Sequence, residues 1–180
     1  QQIDFSSVIG YDKYSVYSMV YHSTALEGST LNEIETKLLL EEGITAKGKP
    51  LEHHLMAKDN YQALLFAISK AKEKTPISAG LLRDINSRIM KHTGQKVNTV
   101  LGSYDGTKGE YRLNPAFSDA LGYYLSPDKI TKAVDDLCNK INERLITSKD
   151  NIEKYNLSFD AQYYLIYIHP WSDGNKRTSR

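Results

Sequence analysis

The chain has a single cysteine, Cys138, so no internal disulfide can form. Cys138 lies at helical spacing among Val134, Leu137 and Ile141, which predicts a buried, inert thiol. No apolar run approaches the length of a bilayer span, so no association with a membrane is expected. Charge of one sign is scarce as well: 23 Lys plus Arg stand against 22 Asp plus Glu, and they are interspersed. Without a basic stripe to neutralise a phosphate backbone, nucleic acid is not an expected partner. The chain does not open with a basic segment, an apolar core and a small-residue cleavage site, and the cytoplasm is the compartment expected. The missing initiator Met reads as a processed or engineered start. His22, His53, His54 and His92 fall at no metal-ligand spacing, and no phosphate-loop, dinucleotide or Gly-x-Ser-x-Gly pattern occurs.

What remains is an ordinary globular composition, 40% hydrophobic and 25% charged, over a length sufficient for one core. The expectation is one domain over residues 1–180, with a segment of about 1–28 ahead of a core of about 29–180. A helix is predicted from about Tyr11 to Glu27, then a tight turn at Gly28. Thr30-Leu31-Asn32-Glu33 reads as the capping box of a second helix, on which Leu31, Ile34, Leu38 and Leu39 recur at helical spacing. Leu55, Tyr61, Leu64, Leu65, Ile68 and Ala71 predict a third helix, and Leu81, Leu82, Ile85, Ile89 and Met90 a fourth after Pro76. Between about Gly94 and Pro127 the period fails, and a stretch of that length inside a compact domain is commonly functional. Ile130, Val134, Leu137, Ile141 and Leu145 restore a helix. Leu157, Ala161, Leu165 and Ile168 outline another, with a buried strand over Tyr163–Ile168 as the alternative.

The chemistry gathers at the end of the chain. Proline at 170 forces His169 out of any helix before it, presenting the imidazole at the lip of a buried element. Asp173-Gly174-Asn175 form turns that expose successive amides, and Lys176, Arg177 and Arg180 follow on a helical turn. Arg177 and Arg180, three apart, are expected to share a face and clamp a polyphosphate. Asp173 at the mouth of this cradle is useful if Mg²⁺ bridges it to phosphate oxygens. The set reads as general base, metal ligand, anion cradle and arginine clamp, suited to phosphoryl or nucleotidyl transfer.

This run, His169-Pro170-Trp171-Ser172-Asp173-Gly174-Asn175-Lys176-Arg177-Thr178-Ser179-Arg180, resembles the Fic-family signature His-Pro-Phe-x-Asp/Glu-Gly-Asn-Gly-Arg-x-x-Arg. Trp171 stands where the signature has Phe, and Lys176 where it has Gly. The resemblance implies an all-α, mainly helical fold with a short β-hairpin flap. It implies an enzyme transferring AMP from ATP to a Ser, Thr or Tyr hydroxyl of a target protein. His169 would be the base, Asp173 the Mg²⁺ ligand, and Gly174, Asn175, Lys176, Arg177 and Arg180 the nucleotide-binding residues. Asn-Lys-Arg also resembles the death-on-curing branch, which transfers phosphoryl groups but lacks the last arginine. A third option is a nucleotide-sensing or protein-binding module without turnover. Fic cores continue past the signature, so the resemblance further implies a core cut short at Arg180.

Two weaker resemblances support the first. Ser23, Glu27 and Gly28 match the Fic inhibitory motif Ser/Thr-x-x-x-Glu-Gly/Asn, implying that Glu27 forms a bidentate pair with Arg180 and holds ATP unproductively. Gly109, Tyr111 and Arg112 match the Gly-x-Tyr-Arg element before the flap, which would lie within about Tyr111 to Leu125 and position the target by strand addition. Self-modification and a homodimer are the other associations such a chain allows.

Overall fold

A computed structural model describes residues 11–119 and 122–180. Expectations for the first ten residues and for positions 120–121 inside the flap lie outside these. Seven α-helices and two small antiparallel hairpins follow one another among the described residues. They are α1 (Tyr11–Ala25), α2 (Glu33–Glu42), α3 (Leu51–Lys72), α4 (Ala79–Ile89), β1 (Lys96–Thr99), β2 (Gly102–Asp105), β3 (Phe117–Ser118), β4 (Gly122–Tyr123), α5 (Pro127–Thr147), α6 (Asn151–Ile168) and α7 (Asn175–Ser179). The mainly helical reading holds. Among the described residues, no helix is long and apolar enough to cross a membrane.

Helix starts follow local chemistry. The capping box of α2 is formed by Asn32 and Glu35, each side chain bonding the other's amide at 2.8 Å, two residues on from the Thr30 start predicted. Thr30 is occupied elsewhere: its hydroxyl and amide lie 3.0 and 3.1 Å from His53 Nδ1. Gly43, in the left-handed conformation, closes α2. Ser78 and Asp150 cap α4 and α6 through their side chains, and proline opens α5, where its missing N–H costs nothing. The alternative strand at Tyr163–Ile168 loses to the helix, because Leu157, Leu165 and Ile168 turn inward at helical spacing while Tyr163, Tyr164 and Tyr167 face out.

Three clusters make up the core. Val20, Leu31, Leu39 and Ala57 join α1, α2 and α3, whereas Ala63, Ile89 and Met90 join α3 to α4. Ile130, Val134, Leu137, Cys138, Ile141, Leu157, Leu165, Ile168 and Trp171 weld α5, α6 and the turn beyond α6. Ile130 and Val134 are fully buried, each contributing about 1.5–3 kcal/mol over exposure. Cys138 is buried, and desolvation pushes its thiol up to about 11, as the inert reading requires. Ile34, at 70% exposure, departs from its predicted core place, because the inward face of α2 runs through Thr36 and Leu39 instead.

The irregular stretch holds two hairpins where one was expected. The first pairs Val97 with Tyr104 and Thr99 with Gly102. The second, within the predicted flap, pairs Phe117 with Tyr123 and Ser118 with Gly122.

Candidate active site

His169 caps α6 in the left-handed conformation, at φ 52° and ψ 60°, its amide still bonded to Leu165 O at 3.0 Å. Proline at 170 excludes a further helical residue, as the sequence implied, although the backbone turns left-handed rather than extended. The imidazole stacks on Tyr124, ring centroids 3.9 Å apart and planes within 14°, so the residue just after β4 forms one wall of the site. Nδ1 is buried without a hydrogen-bond partner. Burial first, then the Arg112 and Lys176 cations, draw the imidazole pKa below its ordinary value, with Ile166 and Asp173 opposing. A neutral ring able to accept a proton is therefore the resting form at pH 7.

Arg112 holds this wall in place. It is 1% exposed and pairs with no carboxylate among the described residues. Instead Nε donates to His169 O at 2.7 Å, Nη1 to Asn114 O at 2.7 Å and Nη2 to Leu125 O at 2.5 Å. One fork thus ties both ends of the flap segment to the carbonyl of the histidine. The amide of Arg112 also donates to Pro170 O at 3.0 Å. Gly109 and Tyr111 act just upstream. Trp171 Nε1 donates to Gly109 O at 3.0 Å, and the Tyr111 ring lies 5.9 Å from that of Trp171. A Cβ on Gly109 would stand 2.2 Å from Arg83 O, and its φ of 64° is left-handed, so only glycine fits. Burial pushes the Tyr111 phenol up to about 12.

The loop after His169 is knotted by its own side chains. Asn175 accepts from Trp171 N at 3.0 Å and donates to Trp171 O at 2.8 Å, so its amide group shapes the turn and is not free for a ligand. Gly174 has φ 78°, and a Cβ there would meet Asn86 Nδ2 at 2.7 Å and Met90 Sδ at 3.0 Å. The Gly174 amide is taken by Asp173 Oδ1 at 2.5 Å. The amides of Asn175, Lys176 and Arg177 open α7 with no intrahelical carbonyl to meet. Asp173 keeps a side chain 62% exposed, with Oδ2 3.2 Å from Arg177 Nη2. Lys176 is exposed and has no carboxylate partner among the described residues.

Arg177 and Arg180 do not share a face. The Arg177 side chain is 2% exposed and packs beneath the loop against Asp173 and Met90, because that turn of α7 is buried on α4. Arg180 points the other way, to the end of α1: Nε donates to Ser23 Oγ at 3.1 Å, Nη2 to Ser23 O at 3.1 Å and to Glu27 Oε1 at 2.6 Å. The pair with Glu27 is a single bond rather than the bidentate one expected, since Ser23 takes the remaining geometry. Gly28, at φ 91°, turns the chain away directly after Glu27.

Asn86 was missed by motif reasoning. Fully buried on α4, it donates to Asp173 O at 3.3 Å and Thr178 Oγ1 at 3.1 Å, spanning the turn and α7. The signal was an amide on the apolar stripe with Leu82 and Ile89. Tyr124 carried no such signal.

The model of the Fic/DOC family matches residues 76–180, the stretch from the start of α4 through the loop. The chain belongs to the Fic/DOC family. Among relatives of this Fic chain is the protein adenylyltransferase fic-1 of Caenorhabditis elegans, 28% identical over 174 residues, covering 94% of this chain and 30% of that protein. The protein adenylyltransferase Fic of Drosophila erecta is 27% identical over 170 residues, covering 93% and 31%. The Fic chain thus spans less than a third of the length of these curated relatives. A Fic domain containing signaling protein of Bacteroides thetaiotaomicron has the same fold at TM-score 0.80 and 24% identity, covering 99% of this chain and 64% of that one. A structure of fic-1 from C. elegans superposes at TM-score 0.72 and 24% identity, covering 92% and 45%.

Proposed function

We propose that the chain carries a protein AMP-transferase site restrained by Glu27. His169 takes the proton from a Ser, Thr or Tyr hydroxyl of a target protein, and the oxygen attacks the α-phosphorus of ATP. The bond to the β-phosphate bridging oxygen breaks, leaving AMP on the protein and pyrophosphate free. The amides opening α7 receive phosphate oxygens, and Arg180 receives the γ-phosphate once Glu27 releases it. Asp173 suits Mg²⁺: its carboxylate is largely exposed beside the cradle, and that ion needs only one or two protein carboxylates when phosphates complete its shell. Mg²⁺ there would offset phosphate charge. The target segment lies along the Phe117–Tyr123 hairpin, whose exposed Phe117 and Tyr123 offer side-chain contacts.

The observation that carries this reading is the seating of the flap-stacked His169 at one end of the loop and the Glu27-engaged Arg180 at the other. The naming of the relatives as protein adenylyltransferases supports AMP over phosphoryl transfer. Lys176, in the place of a glycine, is the feature favouring phosphoryl transfer. The test is ATP labelled at the α- or the γ-phosphate, given to the Glu27→Gly chain with candidate protein acceptors. Label from the α-phosphate on protein supports AMP transfer, label from the γ-phosphate alone replaces it with the kinase reading, and ATP binding with neither label leaves a sensing module.

A further inference from the structure

We propose that the cleft between α3 and α4 is a second anion site, lined by residues outside the His169–Arg180 loop, that takes a multiply charged phosphate group. The two faces of α4 serve different ends. Asn86 and Met90 meet the Gly174 turn, whereas Arg88 and the Lys91–His92 pair just past the helix line a cleft of about 650 Å³ together with Lys58, Gln62 and Phe66.

Three formal cations line this one cleft in a chain whose net charge is only +1. Lys58, Arg88 and Lys91 have no carboxylate partner among the described residues. The one acid in the lining, Asp59, is turned to His92 and pairs directly with none of the three. It is 3% exposed, and its two oxygens accept from the His92 amide at 2.8 Å and pair with His92 Nδ1 at 2.7 Å. Asp59 therefore fixes the His92 ring by Nδ1 and leaves Nε2 free at the cleft.

Arg88 is pre-oriented as well. Its guanidinium stacks on Phe66 at 3.6 Å from the ring centroid, and Nη1 donates to Asp84 O at 2.8 Å, so little side-chain freedom is lost on binding. A carboxylate, with one charge, could use only part of this set. A di- or triphosphate, or a phosphorylated side chain, matches a fork flanked by two ammonium groups. Arg88 already covers a face of Phe66, which argues for recognition of phosphate rather than of a nucleobase.

The experiment is a titration of the full chain with inorganic pyrophosphate, followed by backbone amide NMR, which locates binding by residue. Saturable shifts at Lys58, Arg88, Lys91 and His92 are expected, weakened about tenfold or more in Arg88→Gln/Lys91→Gln. Asn175 and Lys176 shifts should be unaltered by that change. Lys58→Gln/Lys91→Gln, both exposed, repeats the test with the Arg88–Phe66 stack intact. A neutral peptide bearing one phosphoserine, titrated in parallel, separates a phosphoprotein ligand from a free phosphate compound by which of the two binds more tightly. Shifts confined to residues 173–180, or cleft shifts that both double variants leave unchanged, would overturn the proposal. Because the readout is local, its failure leaves the AMP-transfer reading untouched.

Discussion

Arg180 Nη2 donates to Glu27 Oε1 at 2.6 Å, joining the last arginine of the loop to the end of α1 across 153 positions of sequence. Both side chains are shielded, at 23% and 18% exposure, so the charge-assisted bond is screened less than a surface pair would be. A γ-phosphate competing for the same guanidinium must displace it. Glu27→Gly should raise protein labelling from ATP about tenfold or more, corresponding to about 1.4 kcal/mol of lost competition. The comparison is of initial labelling rates. Equal rates would remove the inhibitory role.

His169→Ala should abolish transfer while leaving ATP binding nearly intact, with a modest fall in the thermal midpoint from the lost stack on Tyr124. Labelling that survives the change would transfer the role of base to another group.

The pH profile carries a sign. The folded pKa of His169 lies below its ordinary value of 6.5, so the active neutral base persists below pH 6.5 and is lost only as pH falls through the lower folded pKa. Over the same range the group opposes folding. The unfolded chain binds the proton first as pH drops below the ordinary value, so stability declines until the folded pKa is passed. The rising limb of the Glu27→Gly rate should accordingly sit on the acid side of 6.5. A limb above that value would contradict the burial of the ring.

Gly174→Ala should destabilise the chain by about 1–3 kcal/mol, combining a left-handed backbone with a Cβ 2.7 Å from Asn86 Nδ2. Denaturant midpoints with unchanged slope would measure it. A neutral result would mean that the turn yields freely.

Trp171→Phe restores the aromatic of the family signature yet removes the bond from Nε1 to Gly109 O. Arg83 Nε still donates to that carbonyl at 3.1 Å, so the lost bond should add about 1 kcal/mol to the cost of the void left in the buried site, read from the same unfolding curves.

Much of the fold was legible because helical periods and caps are local. The inward face of α5 at Ile130, Val134, Leu137 and Ile141, the stop at His169-Pro170 and the breakdown of period after Gly94 all rest on neighbouring residues. The start of α2 falls two residues later than predicted: Asn32 caps the helix, while Thr30, the predicted cap, engages His53, more than twenty residues away. The first hairpin, Lys96–Asp105, left no periodic trace because its exposed strands alternate weakly.

The candidate site divides the same way. Proline after His169, glycine at 174 and the order of charges through Arg180 are covalent facts, and by themselves they determined that an imidazole, a turn and two arginines would follow one another within twelve residues. Which arginine turns outward could not be read from spacing. Burial of α7 on α4 sends Arg177 inward to Asp173 and Met90, and the approach of α1 gives Arg180 its partner. Likewise the stacking of Tyr124 on His169 and the grip of Arg112 on both flap ends join residues dozens of positions apart. Contacts of that kind arise only when separate elements pack, because a side chain's partner is set by the surface that burial brings against it.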